Sequence, residues 1–106
     1  MDLSFRGALG HRTPPLVSKK LREFARGQDC ALGMAWCNHD PATVVLCHLR
    51  LFGSAGVAQK PPDYHAYHGC FECHRREAEA GNDDLLLALM KTQNRVFAHF
   101  GTLTPK

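Results

Sequence analysis

The polarity pattern of the chain is broken up by its glycines and prolines. Residues 1–17 hold Gly7, Gly10, Pro14 and Pro15 and show no period, so they read as an extended or loose leader. Ser18 then fits a helix N-cap. Lys19 to Arg26 puts Leu21, Phe24 and Ala25 on one face and basic residues on the other, with Gly27 as the stop. Ala42 to Leu51 predicts the principal strand. It begins β-branched, lies between Pro41 and Gly53, and alternates Val44, Leu46 and His48 against Val45, Cys47 and Leu49. Phe52 to Tyr67 reads as loop, flexible at Gly53, Ser54 and Gly56 and stiffened at its exit by Lys60-Pro61-Pro62-Asp63. Tyr64 to Gly69 leads into Cys70 as a short strand, and Cys70 opens a helix through Glu79. After Gly81, Asn82 or Asp83 caps a last helix to about Phe100. Its expected apolar face is Leu85, Leu86, Leu89, Met90, Val96, Phe97 and Phe100, and Gly101 ends it. That helix reads as a packing element without chemistry, although Phe97 and Phe100 could equally serve a partner. Oligomeric state is not legible.

At 106 residues this is one small α+β domain, expected over 18–106 behind the leader. Domains of this size often lean on a metal or on disulfides. No apolar run is long enough for a transmembrane helix, and Met1 to Arg6 lacks the apolar core of a signal peptide, which predicts a cytoplasmic protein without a membrane partner. The formal net charge is only +3, yet residues 1–28 carry Arg6, Arg12, Lys19, Lys20, Arg22 and Arg26 against Asp2 and Glu23. Such a basic segment suits phosphate contact, and equally a solvated tail.

The five cysteines change the picture most. An odd count without an export signal argues against a disulfide framework. Cys70-x-x-Cys73 at a helix start can span one edge of a metal tetrahedron, and the helix N-terminus favours the thiolate charge. Cys30 and Cys37, six residues apart, are a weak pair alone. Placed upstream of Cys70-x-x-Cys73 they complete a four-cysteine zinc pattern, with Cys47 left over in an apolar run. Four thiolates form a closed structural site that catalyses nothing itself. The implied frame is a knuckle, a strand or hairpin, and a helix carrying the second pair, which is the treble-clef or ββα-metal arrangement.

On that frame His48, at the strand's end, and His74, in the helix's first turn, are the candidates for chemistry. A lone histidine on an apolar strand is most often simply packed. Phosphodiester hydrolysis, however, needs a base for water and a cation for the phosphate and leaving oxygen. His48 as general base and His74 as ligand of a catalytic Mg²⁺ or Mn²⁺ meet those needs, and an imidazole also suits Zn²⁺ or Ni²⁺. Lys60, Arg75 and Arg76 are candidate contacts to a DNA backbone, or plain surface charges. His65 and His68 are ligands by residue type only.

The ordered series Cys30, Cys37-Asn38, Pro41-x-Thr43-x-Val45-Leu46-x-His48-Leu49, Lys60-Pro61-Pro62-Asp63 and Cys70-x-x-Cys73-His74 resembles the YbcO-like family over about residues 18–80. These are small prophage-encoded proteins assigned as nucleases and related to the HNH endonucleases. The resemblance implies zinc at Cys30, Cys37, Cys70 and Cys73, the HNH base at His48 and a catalytic-metal ligand at His74. The chain departs from the wider HNH pattern at Cys47, where an Asp or His usually precedes the base. It departs again at Glu77 and Ala78, where a second helical histidine would fall, and at Asp63, where a loop-fixing Asn is common. Two further readings accompany the endonuclease. One is a non-catalytic zinc-stabilised module that binds nucleic acid or protein, and the other is a redox dithiol at Cys70-x-x-Cys73.

Overall fold

The computed structural model describes residues 16–49 and 61–105. Positions 1–15 of the expected leader lie outside the described residues, as do Lys60 and the glycine-containing part of the expected loop. Helix α1 spans Lys19–Ala25, strand β1 Val45–His48, strand β2 Ala66–Gly69, helix α2 Phe71–Arg75 and helix α3 Asn82–Phe100. The two strands form one antiparallel sheet pairing Val45 with Gly69, Leu46 with His68, Cys47 with Tyr67 and His48 with Ala66. The result is a small α+β unit of three helices around a two-stranded sheet. Among the described residues no helix is long and apolar enough to cross a membrane.

Each element begins or ends where its chemistry dictates. Ser18 Oγ accepts from the Leu21 N–H at 3.2 Å and caps α1, whose Leu21 and Ala25 are buried. The strand expected from Ala42 is shorter, because Pro41–Thr43 forms a 3₁₀ turn capped by the Asp40 carboxylate on the Ala42 N–H. The helix after Cys70 is shorter too. It stops at Arg75, and a 3₁₀ turn follows over Glu77–Glu79. The N-cap of α3 is Gly81, neither Asn82 nor Asp83, and the Asp84 carboxylate accepts from the Gly81 N–H at 3.2 Å. Gly101, at φ 77°, closes α3 in the left-handed region that suits glycine.

The buried stripe of α3 is Leu85, Ala88, Thr92 and Val96. This differs from the expected apolar face, since Leu86 (52% exposed), Met90 (51%) and Phe97 (57%) point outward. Thr92 belongs inside because its hydroxyl accepts the His68 N–H of β2 at 2.8 Å, satisfying a buried donor. At the near end of the sheet, Phe24 packs its ring against His68, His99 and Phe100. The core joins Val44, Cys47, Leu49, Tyr67, Leu85 and Ala88 to the four-cysteine region.

Strand β2 is buried at all four positions, and Gly69 shows how tightly. A Cβ at that position would stand 2.7 Å from Tyr67 Cε2 and 3.0 Å from Cys47 Sγ. The Tyr67 ring cannot yield, because its hydroxyl donates to Glu77 Oε1 at 2.5 Å. Gly69→Ala is therefore expected to destabilise the chain by about 1–3 kcal/mol through overpacking, read as a lower urea midpoint. An unchanged midpoint would mean that the sheet is loosely packed at this position.

Candidate active site

The first cluster is made of thiols. The Sγ atoms of Cys30, Cys37, Cys70 and Cys73 all lie within 4.8 Å of one another. Gly33, at φ 58°, turns the chain between Cys30 and Cys37, and its N–H points at Cys30 Sγ at 3.4 Å. The N–H of Cys70 also donates to Cys30 Sγ, that of His39 to Cys37 Sγ, and that of Cys73 to Cys70 Sγ, each at 3.4 Å. Backbone donors converging on sulfur favour thiolates over thiols. Burial raises the Cys70 thiol, but the N–H groups of Cys73 and Asn38 and the neighbouring thiols outweigh it and bring the group down to about 7, whereas burial wins at Cys37 and Cys73 and holds those thiols up. A tetrahedral metal with about 2.3 Å bonds to sulfur needs sulfurs about 3.8 Å apart. Cys37 and Cys70 stand 3.7 Å apart. The donor set and spacing fit a metal ion that takes four soft ligands.

Cys47, the leftover cysteine, faces the sheet. Its thiol lies 3.7 Å from the Gly69 carbonyl, and burial pushes it up to about 12. It is inert and can ligate nothing outside the core. His68 is buried as well, with Nδ1 3.2 Å from Arg95 Nη1, and His65 packs on Tyr64. Neither belongs to the thiol cluster.

The second cluster surrounds His48, and its centre is Asp63. Pro61 and Pro62 set a turn closed by the His65 N–H on the Pro62 carbonyl at 2.9 Å. That turn sends the Asp63 side chain inward until it is 1% exposed. Oδ2 accepts from the Ser18 N–H at 2.7 Å and from Arg22 Nε at 2.9 Å. Oδ1 takes Arg22 Nη2 at 3.1 Å and lies 2.7 Å from His48 Nε2. Burial alone would raise this carboxyl. The Arg22 guanidinium, the Ser18 N–H and His48 outweigh it and hold the group below the ordinary carboxylate value. An ionised carboxylate accepts and does not donate. In the contact with that carboxylate His48 Nε2 is therefore the donor, and Nδ1 is the ring nitrogen turned away from Asp63.

His48 forms part of the wall of a hollow of about 480 Å³. Lys19, Arg22 and Glu23 of α1 and its C-cap Arg26 line it with Val45, Leu46 and His48 of β1. His74 does not line this hollow. It sits on α2, half exposed, with Nδ1 3.7 Å from Glu77 Oε1. Of the expected backbone-contacting cations, Arg75 pairs with Glu72 at 2.6 Å and Arg76 with Glu79 at 2.7 Å. The Arg76 guanidinium also lies 4.2 Å above the Trp36 ring. Lys60 is outside the described residues. Sequence reasoning treated Arg22 only as one basic residue among several and Ser18 only as a cap. The only signal for their joint role is the Pro-Pro-Asp turn.

Comparison with known proteins identifies the family. Two curated proteins, "Putative nuclease YbcO" of Escherichia coli strain K12 and its namesake in Enterobacteria phage 82, are each 46% identical over 55 residues. The match covers 51% of this chain and 57% of each relative, so the chain spans little more than half their length. A solved structure of "a putative bacteriophage protein" from Escherichia coli str. K-12 substr. MG1655 superposes with a TM-score of 0.58. It shares 29% identity, covers 76% of this chain and is itself covered completely. The family model described as "Putative nuclease YbcO" matches residues 19–102, every described element included, and the chain belongs to that family.

Proposed function

We propose that the chain is a metal-dependent endonuclease of the HNH type that hydrolyses DNA, built as a ββα-metal domain on a four-cysteine zinc frame. The observation that carries this reading is the contact between His48 Nε2 and the buried Asp63 carboxylate at 2.7 Å. It orients the imidazole, with Nε2 toward the carboxylate, on the wall of a basic hollow. His48 Nδ1 takes a proton as a water oxygen bonds to phosphorus. The bond from phosphorus to the 3′ oxygen breaks, and that oxygen keeps the electron pair and takes a proton from solvent. His74 would hold a divalent cation, Mg²⁺ or a close substitute, which would supply charge neutralisation for the phosphate. Glu77 Oε1, 3.7 Å from His74 Nδ1, offers that cation a hard oxygen donor. The position of His74 outside the His48 hollow favours a second reading, a zinc-stabilised DNA-binding module without catalysis.

Three outcomes are expected. Elemental analysis gives one zinc per chain, and stripping it with a strong chelator abolishes the cooperative unfolding transition, because a core this small depends on the ion. An unchanged transition after stripping would remove zinc from the account. Plasmid nicking in Mg²⁺, Mn²⁺ or Ni²⁺ falls about 10²–10⁴-fold in His48→Ala at unchanged zinc content, the range of a lost general base. Equal nicking by the variant, or none by the parent chain, moves the conclusion to the binding module. Asp63→Asn keeps the shape but loses the anionic acceptor. Nicking then falls more than tenfold and stability by about 1–3 kcal/mol, with a larger stability loss in Asp63→Ala. Full activity in Asp63→Asn would show that the ring needs no fixed tautomer.

A further inference from the structure

We infer that one strand of the DNA backbone is held along the basic face of α1, with Arg26 as the principal phosphate contact. This inference rests on the proposed nuclease reading and identifies the surface that presents the substrate to His48. Lys19 and Arg22 of α1 and Arg26, its C-cap, all line the His48 hollow. Three cations meet one carboxylate there, Glu23, so the wall is net positive. Their commitments differ. Lys19 reaches Glu23 at 3.8 Å with both side chains mostly exposed, a pair that a phosphate readily replaces. Arg22 gives Nε and Nη2 to Asp63 and keeps Nη1 to donate. Arg26 makes no ion pair among the described residues.

Geometry suits a backbone more than a single anion. Lys19 and Arg26 are seven residues apart, about 10 Å at 1.5 Å per residue. That is the axial length of about three base pairs at 3.4 Å each. The two end cations therefore match phosphates about three steps apart on one strand, in the hollow that His48 also lines. Val45, 44% exposed in the same hollow, offers an apolar contact for deoxyribose. Arg75 and Arg76 are less suited, because each already has a carboxylate at hydrogen-bond distance.

The test is fluorescence anisotropy with a labelled DNA duplex, in buffer without divalent metal, on a His48→Ala background so that nothing is cut. Arg26→Ala is expected to weaken binding about 3–10-fold at low salt and to flatten the slope of log affinity against log salt by about 0.9, the signature of one lost phosphate contact. Lys91→Ala, the same charge change on α3, leaves both unchanged. Zinc content confirms that each variant is folded. Unchanged binding and slope in Arg26→Ala overturn the inference, as does a larger loss in Arg75→Ala or Arg76→Ala, or no duplex binding by the parent. Cleavage of DNA by the wild-type chain, measured separately, keeps the two claims apart. Cleavage with Arg26-independent binding overturns this surface alone, whereas Arg26-dependent binding without cleavage upholds it and removes the nuclease.

Discussion

The functional half of this chain depends on one buried carboxylate. Asp63 joins the start of α1 through Ser18, its second turn through Arg22 and the end of β1 through His48, all on two oxygens. Any one of those contacts is ordinary. Together they explain why an acidic side chain is tolerated at near-complete burial, since every strong acceptor direction is filled. They also orient the neighbours. Arg22 is held out of solvent on one edge, and His48 turns Nε2 to the carboxylate and Nδ1 away from it. The helix that carries the basic face cannot move away from the histidine without breaking this node.

The thiol cluster does the corresponding work on the other side of the sheet. Cys30 and Cys37 come from a loop, and Cys70 and Cys73 from the start of α2. The Ala31 N–H bonds the His68 carbonyl at 2.7 Å and so ties the loop to β2 as well. Strand β2 thus stands between the two clusters, buried on all sides, with Gly69 and Tyr67 packed against Cys47. A four-sulfur site saturates its ion, so chemistry must lie elsewhere. The sheet separates the frame from the hollow in which hydrolysis is proposed.

Local signals were legible in the sequence. Ser18 as a cap, Gly101 as a stop and the Cys70-x-x-Cys73 turn at a helix start act within a few residues and carry over into the structure. The misreadings have tertiary causes. Thr92 is not among the residues of the expected apolar face, yet it is buried, where it satisfies the His68 N–H. Leu86, Met90 and Phe97 fit the apolar period of α3 and yet face outward, because the sheet is narrow and covers only one stripe of the helix. The helix after Cys70 ends early as Arg76 leaves helical geometry, with φ −107° and ψ 27°, and Glu77 turns to the Tyr67 hydroxyl. The Asp63 node joins residues 41 and 45 positions apart, a distance over which no periodicity argument reaches.

The most direct test of the central claim is the tautomer of His48. Long-range ¹H–¹⁵N NMR of the imidazole, at a pH where histidine is neutral, reports which nitrogen carries the proton. The account predicts Nε2–H with an unprotonated Nδ1 in the wild-type chain, and loss of that single tautomer in Asp63→Asn. A proton on Nδ1, or a mixture of both forms with Asp63 intact, would contradict it and remove the proposed role of His48 as general base.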